Sequence, residues 1–157
     1  MVSEKPAPEE RESVARNKRA RHDYELIETW EAGIVLVGSE VKSLRDGKAN
    51  LQDAYGIVRD GELYLLNCHI APYSKSGYVR HEPTRTRKLL LHKAEIRRLI
   101  GAVERKGLTL VPLELYFKRG LAKVSIALGR GKKLHDKRDD EKKRDAVREM
   151  ARAVTRR

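Results

Sequence analysis

Tyr55-Gly56-Ile57-Val58-Arg59-Asp60-Gly61-Glu62-Leu63-Tyr64-Leu65-Leu66 is the stretch that decides the fold class. Two runs of strand-favouring residues flank Asp60-Gly61, the dipeptide that tight type I′ hairpins prefer because both central residues take positive φ. The spacing predicts antiparallel strands over Ala54–Arg59 and Glu62–Ile70. Beyond them, Pro72–Pro83 reads as a loop rich in Ser, Gly and Tyr. Leu89–Lys106 reads as an amphipathic helix, with Ile96, Leu99, Ile100 and Val103 on one stripe and Gly107 at its end. Two strands follow around Arg119-Gly120. Alternation turns Leu113, Leu115 and Phe117 inward and Tyr116 outward, then Val124, Ile126 and Leu128 inward and Lys123 outward.

On the N-terminal side, Glu40–Arg45 predicts a short helix with Ser39 as N-cap and Asp46-Gly47 as stop. Tyr24–Glu31 and Ile34–Val37 read as one long strand or two, with Ala32-Gly33 at a bend or bulge. Asn17–Asp23 is a basic cluster, and Met1–Ser13 is too polar to pack. The expected fold is mostly β with helices: a small OB-like antiparallel β-barrel with flanking helices. Its C-terminal arm is expected to be disordered when free and helical when bound. The expected divisions are a disordered leader at 1–13, the barrel at 14–130 and a basic tail at 131–157.

Charge points to the partner class. The chain holds 35 Lys and Arg against 23 Asp and Glu, a net +12, and residues 130–157 alone supply half of that excess. A polyanion is the expected partner. No apolar run approaches a bilayer span, so no membrane role is expected. The single cysteine, Cys68, has no internal disulfide partner, which fits a reducing, cytoplasmic setting.

Enzymatic chemistry finds little support. The five histidines (His22, His69, His81, His92 and His135) show no i, i+4 pair and no companion Cys-x-x-Cys, so neither a metal nor another cofactor is expected. Gly129-Arg130-Gly131-Lys132-Lys133 lacks the spacing and the Ser/Thr of a phosphate loop. Asp136, Asp139 and Asp140 alternate with Lys and Arg, which suits ion pairing better than a nuclease metal cluster.

Binding chemistry is denser. Thr84-Arg85-Thr86-Arg87-Lys88 places three cations and two hydroxyls before Leu89-Leu90-Leu91, a composition suited to phosphate contacts by Arg85 and Arg87. Tyr116 and Lys123, outward on neighbouring strands, are further candidates, and folded RNA is favoured over duplex DNA because no helix-turn-helix or zinc-finger pattern is present. In the arm, acidic residues lead and arginines trail, the order that complements a helix dipole. Asp139–Lys143 and Asp140–Arg144 are favourable i, i+4 pairs. A helix this short is marginal alone, so a partner surface should hold it.

Several stretches together resemble one family. Asn17–Tyr24, Glu31–Ile34, Gly38–Arg45, Gly47–Asn50, Asp60-Gly61-Glu62, Pro83–Leu91 and Gly131–Arg138 are similar to signatures of the SsrA-binding proteins, also called small protein B, over roughly Ala15–Arg148. The resemblance implies a bacterial ribosome-rescue factor without enzymatic activity. Such a factor binds the tRNA-like domain of transfer-messenger RNA and enters stalled ribosomes with elongation factor Tu and GTP, for trans-translation. It also implies RNA-binding roles for Asn17, Glu31, Leu90 and Lys123, with Lys18, Arg19 and His22 in the adjoining basic cluster and Leu90 contributing shape. Gly131, Lys132, Lys133, Asp136, Lys137 and Arg138 match the tail motif that works in the small-subunit decoding centre and message channel. His135 stands where the family carries a residue that can stack on a ribosomal base. A generic barrel-type RNA-binding or ribosomal protein is the alternative.

Overall fold

Asp60 and Gly61 take φ of 51° and 75°, and Arg59 faces Glu62 across the turn, as a type I′ hairpin requires. The same solution recurs at Arg119 (52°) and Gly120 (76°), where Lys118 faces Leu121. The structure, a computed structural model, describes residues 11–73, 81–131, 142 and 144–148. Its elements are β1 (Arg11–Arg16), α1 (Ala20–Asp23), β2 (Tyr24–Ile34), α2 (Gly38–Arg45), β3 (Ala49–Asn50), β4 (Tyr55–Arg59), β5 (Glu62–Leu66), β6 (His69–Ile70), β7 (Arg87–Leu90), α3 (Lys93–Lys106), β8 (Thr109–Lys118) and β9 (Leu121–Gly131).

The sheet runs β4-β5-β7-β2-β9-β8, and β8 returns to β4 through Leu110 opposite Gly56, so the antiparallel strands close a ring. Gly56 permits this closure, because a Cβ there would lie 2.6 Å from the Leu110 Cβ. The other half of the same β8 edge is covered by β1, from Arg11 opposite Lys118 to Arg16 opposite Glu114. Inside the ring lie Ala32, Leu63, Leu65, Leu89, Leu115, Val124 and Ile126, all at most 1% exposed, with Leu44 from α2 and Leu99 from α3 packed against them. Each fully buried leucine contributes about 1.5–3 kcal/mol, which is what draws the strands inward. Gly107 ends α3 at φ 64°, the left-handed cap expected of it.

The structure corrects several expectations. Arg11–Ser13, assigned to a disordered leader, belong to β1, so the folded body begins at Arg11 at the latest. A bare β8 edge would leave ladder N–H and C=O groups unmet, and the polar leader supplies them. The helix expected from Leu89 begins at Lys93, and Arg87–Leu90 form a strand between β5 and β2 instead. Ser39 does not cap α2. The Glu40 carboxylate accepts the Val37 N–H (2.9 Å), while the Ser39 hydroxyl meets His81 Nδ1 (2.8 Å). β2 is one strand with its irregularity at Leu26/Glu28, not at Ala32-Gly33, and the strand after Asp60-Gly61 breaks at Asn67 (φ 56°). In the arm, residues 142 and 144–148 are helical. Lys132, Lys133, His135, Asp136, Lys137 and Arg138 lie outside the described residues.

Candidate nucleic-acid interface

Residues directly opposite in antiparallel strands share a face. Leu90 faces Gly33, Gly33 faces Lys123, Lys123 faces Tyr116 and Tyr116 faces Ser13, so one row crosses β7, β2, β9, β8 and β1 on the outside of the ring. The neighbouring row is Glu31, Ser125, Glu114 and Arg16. Four sequence candidates, Glu31, Leu90, Tyr116 and Lys123, therefore meet on one surface. Leu90 is half exposed, because alternation along β7 turns Arg87 and Leu89 in and Lys88 and Leu90 out. Gly33 leaves room for it, since a Cβ there would stand 3.2 Å from the Leu90 Cβ.

The charges on this face form a chain across three strands. Glu114 takes Arg16 at 3.1 Å and Arg11 at 3.2 Å. Arg11 then reaches Glu31 at 3.9 Å, and Glu31 takes Lys118 at 3.3 Å. Glu31 Oε2 also accepts the Tyr116 hydroxyl at 2.5 Å. Tyr116 is outward in register, as expected, yet 0% exposed, because the Arg11 guanidinium stands 4.0 Å from its ring centroid. Tyr116 is thus no stacking platform for a base. Burial pushes the Tyr116 phenol up, and the Glu31 carboxylate adds to that, so it stays a donor. Burial also pushes the Glu31 carboxyl up, but the Tyr116 and Lys118 hydrogen bonds and the Lys123 charge together hold it below its ordinary value.

A second group surrounds the turn into α1. Asn17 is pinned by its backbone N–H to Leu113 O (2.8 Å) and its side chain to Pro112 O (3.0 Å). Lys18 and Arg19 are exposed beside it, and they line a cavity of 440 Å³ with Arg16, Asn50 and Gln52. His22 Nδ1 lies 3.0 Å from Asp23 Oδ1, and the same histidine borders a 250 Å³ cleft with Arg144, Asp145 and Arg148 of the tail. Gly131, at the exposed end of β9 opposite Tyr24, sets where the tail departs.

Arg87 corrects the phosphate-contact expectation, while Arg85 stays partly exposed. Arg87 is 0% exposed and bonds Glu40 Oε2, Cys68 O (2.6 Å) and Pro83 O (3.1 Å). Arg85 gives its Nη2 to Glu40 Oε1 at 2.6 Å and to Val35 O at 3.3 Å. Lys88 pairs with Glu62 at 2.7 Å. Arg87 is turned to the interior by a buried carboxylate that must be neutralised, and Arg85, still 35% exposed, pairs with the same carboxylate from the rim. Cys68, packed alongside, has its thiol pushed up to about 11 by burial.

The family described as SmpB protein matches residues 14–156. The chain belongs to the SmpB family. An SsrA-binding protein of a Nostoc species is 63% identical over 142 residues, 90% of this chain and 92% of the relative. That of Symbiobacterium thermophilum is 59% identical over 149 residues, 94% of each. A chain in the solved structure described as "tmRNA-SmpB: a journey to the center of the bacterial ribosome" is 58% identical, covering 79% of this chain and 91% of that one at a TM-score of 0.65.

The SmpB match begins at residue 14, so Arg11 and its contacts to Tyr116, Glu31 and Glu114 lie before it. Arg11, Lys118 and Glu114 were not sequence candidates. Glu114 and Lys118 were within reach of the reading, each two positions from Tyr116 and hence on its face. Arg11 needed the β1–β8 register. Among the described residues no His, Cys, Asp and Glu group is arranged to hold a metal ion, and no helix is long and apolar enough to cross a membrane.

Proposed function

We propose that the protein binds the tRNA-like domain of transfer-messenger RNA, the SsrA RNA, and brings it to stalled bacterial ribosomes for trans-translation in the cytoplasm. The observation that carries this reading is the near full-length identity to SsrA-binding proteins. The fold is OB-like, a closed antiparallel ring whose outer face presents Lys123 beside Leu90, Glu31 and Lys118. Lys123 and Lys118 supply the cations for phosphates, Leu90 supplies an apolar surface against which sugar or base edges pack, and the Asn17–Arg19 turn supplies a second basic contact. Binding of this kind is salt-dependent.

The protein works by binding, not by catalysis. The tail from Gly131, carrying Lys132, Lys133, His135, Asp136, Lys137 and Arg138, occupies the decoding centre and the empty message channel as a helix. His135 stacks there on a ribosomal base, and elongation factor Tu with GTP is the co-delivered partner. A message in the channel excludes the tail by volume and by its own phosphates.

Co-purification of the protein with cellular RNA, followed by sequencing of what is bound, tests the partner: transfer-messenger RNA should dominate. Indiscriminate recovery of structured RNA refutes the reading. Truncation before Gly131 should leave affinity for the tRNA-like domain within about twofold while abolishing peptide tagging in reconstituted translation.

A further inference from the structure

The Glu31 carboxylate is crowded before any RNA arrives. Oε2 accepts the Tyr116 hydroxyl at 2.5 Å, Oε1 and Oε2 stand 3.3 and 3.4 Å from Lys118 Nζ, and the Arg11 guanidinium is 3.9 Å from Oε2. Tyr116 in turn is enclosed, with Arg11 over its ring and no exposed surface. The hydroxyl cannot reach a ligand, so its function is exerted through Glu31. Lys118 is partly exposed and Lys123 lies in the next row, so the carboxylate sits among the cations that phosphates would seek.

We propose that Glu31 serves the RNA indirectly, as the anchor that fixes the ammonium of Lys118 and draws in that of Lys123, and that Tyr116 and Arg11 are positioning residues that fix the carboxylate. A lysine on a free stem carries large rotamer entropy, and ordering it in advance removes that cost from binding. The two lysines then stand as a preset pair for successive phosphate oxygens, and the carboxylate itself makes no RNA contact. Arg11 holds Tyr116 from above through β1, so the N-terminal strand contributes to the binding face without touching the ligand.

This inference rests on the reading of the outer face as the RNA surface, and Lys123→Ala separates the two. Affinity for the tRNA-like domain of transfer-messenger RNA would be measured by fluorescence anisotropy against salt, with full-length protein. Lys123→Ala should weaken binding by tenfold or more, about one charge-assisted contact. An unchanged affinity there overturns the face itself and the inference with it. Tyr116→Phe keeps the ring, the charge and the Arg11 stacking, and deletes only the hydroxyl. It should weaken binding about three- to tenfold and flatten the salt slope by somewhat less than one phosphate contact, about 0.7 at most. Glu31→Gln should act likewise although it makes the protein more positive, and the double variant should be no weaker than the weaker single. Tyr116→Phe with unchanged or tighter binding refutes the positioning role. Weakened binding at an unchanged salt slope also refutes it, because the carboxylate would then be touching a base or ribose.

Discussion

Replacing Arg87 by methionine is the sharpest test of how the interior is held. The Glu40 side chain is 0% exposed and receives Arg87, Arg85 and the Val37 N–H. Arg87→Met removes one charge-assisted bond to that carboxylate, strips the Cys68 carbonyl of its donor and leaves the Pro83 carbonyl with the Ile70 N–H alone. Breaking one side of a buried ion pair costs about 3–5 kcal/mol. Methionine refills most of the volume and Arg85 keeps part of the neutralisation, so the lower end, about 3 kcal/mol, is expected. With a urea slope of about 2 kcal/mol per M, the unfolding midpoint should fall by about 1.5 M. Folded Arg87→Met protein, held in the cold, should keep the salt slope of RNA binding. A midpoint shift under about 0.25 M, the range of an ordinary surface substitution, together with a flattened salt slope, would mean that Arg87 faces phosphate after all.

Three further outcomes follow from the same contacts. Burial pushes the Glu40 carboxyl up, but the Arg85 and Val37 hydrogen bonds and the Arg87 charge bring it net below its ordinary 4.5. Its stabilising contribution is therefore present above pH 4.5 and is lost as pH falls through the lower folded value, so Glu40→Gln should be less stable at pH 7 and show a shallower loss below pH 4.5 in urea titrations. Gly56→Ala should cost about 1–3 kcal/mol in thermal unfolding, since its methyl meets Leu110 at the point where the ring closes. Leu90→Ala should cost no more than about 1 kcal/mol in stability, because the side chain is 50% exposed, while lowering RNA affinity several-fold; a large stability loss with intact affinity would make Leu90 a core residue.

The parts of the fold that were legible in the sequence are those governed by near neighbours. Asp60-Gly61 and Gly107 announce their own positive φ, the α3 stripe announces its packing face, and Val124, Ile126 and Leu128 alternate into the core as read. The misreadings came from segments whose state depends on distant partners. Leu89-Leu90-Leu91 satisfies helical and strand patterns equally, and its strand identity is set by β5 and β2 on either side. Parity along that strand was nevertheless available: placing Leu89 inside commits Arg87 to the inside as well, and a buried arginine demands a buried carboxylate. Glu40 gave no sign of being that partner, since it reads as an ordinary first-turn acid of α2.

The sequence by itself determined the antiparallel class, the two tight hairpins, the principal helix, the basic surplus and the family, because each of these rests on local φ/ψ limits, on periodicity or on motif. The tertiary structure alone decided three things: that Arg11–Ser13 join the strand covering β8, that Arg87 turns inward to Glu40 while Arg85 pairs with it from the rim, and that Tyr116 is sealed beneath Arg11 while Leu90 stays open. Each is a question of which unpaired edge or buried charge finds its complement. The answer lies in contacts between residues dozens of positions apart, which no local pattern encodes.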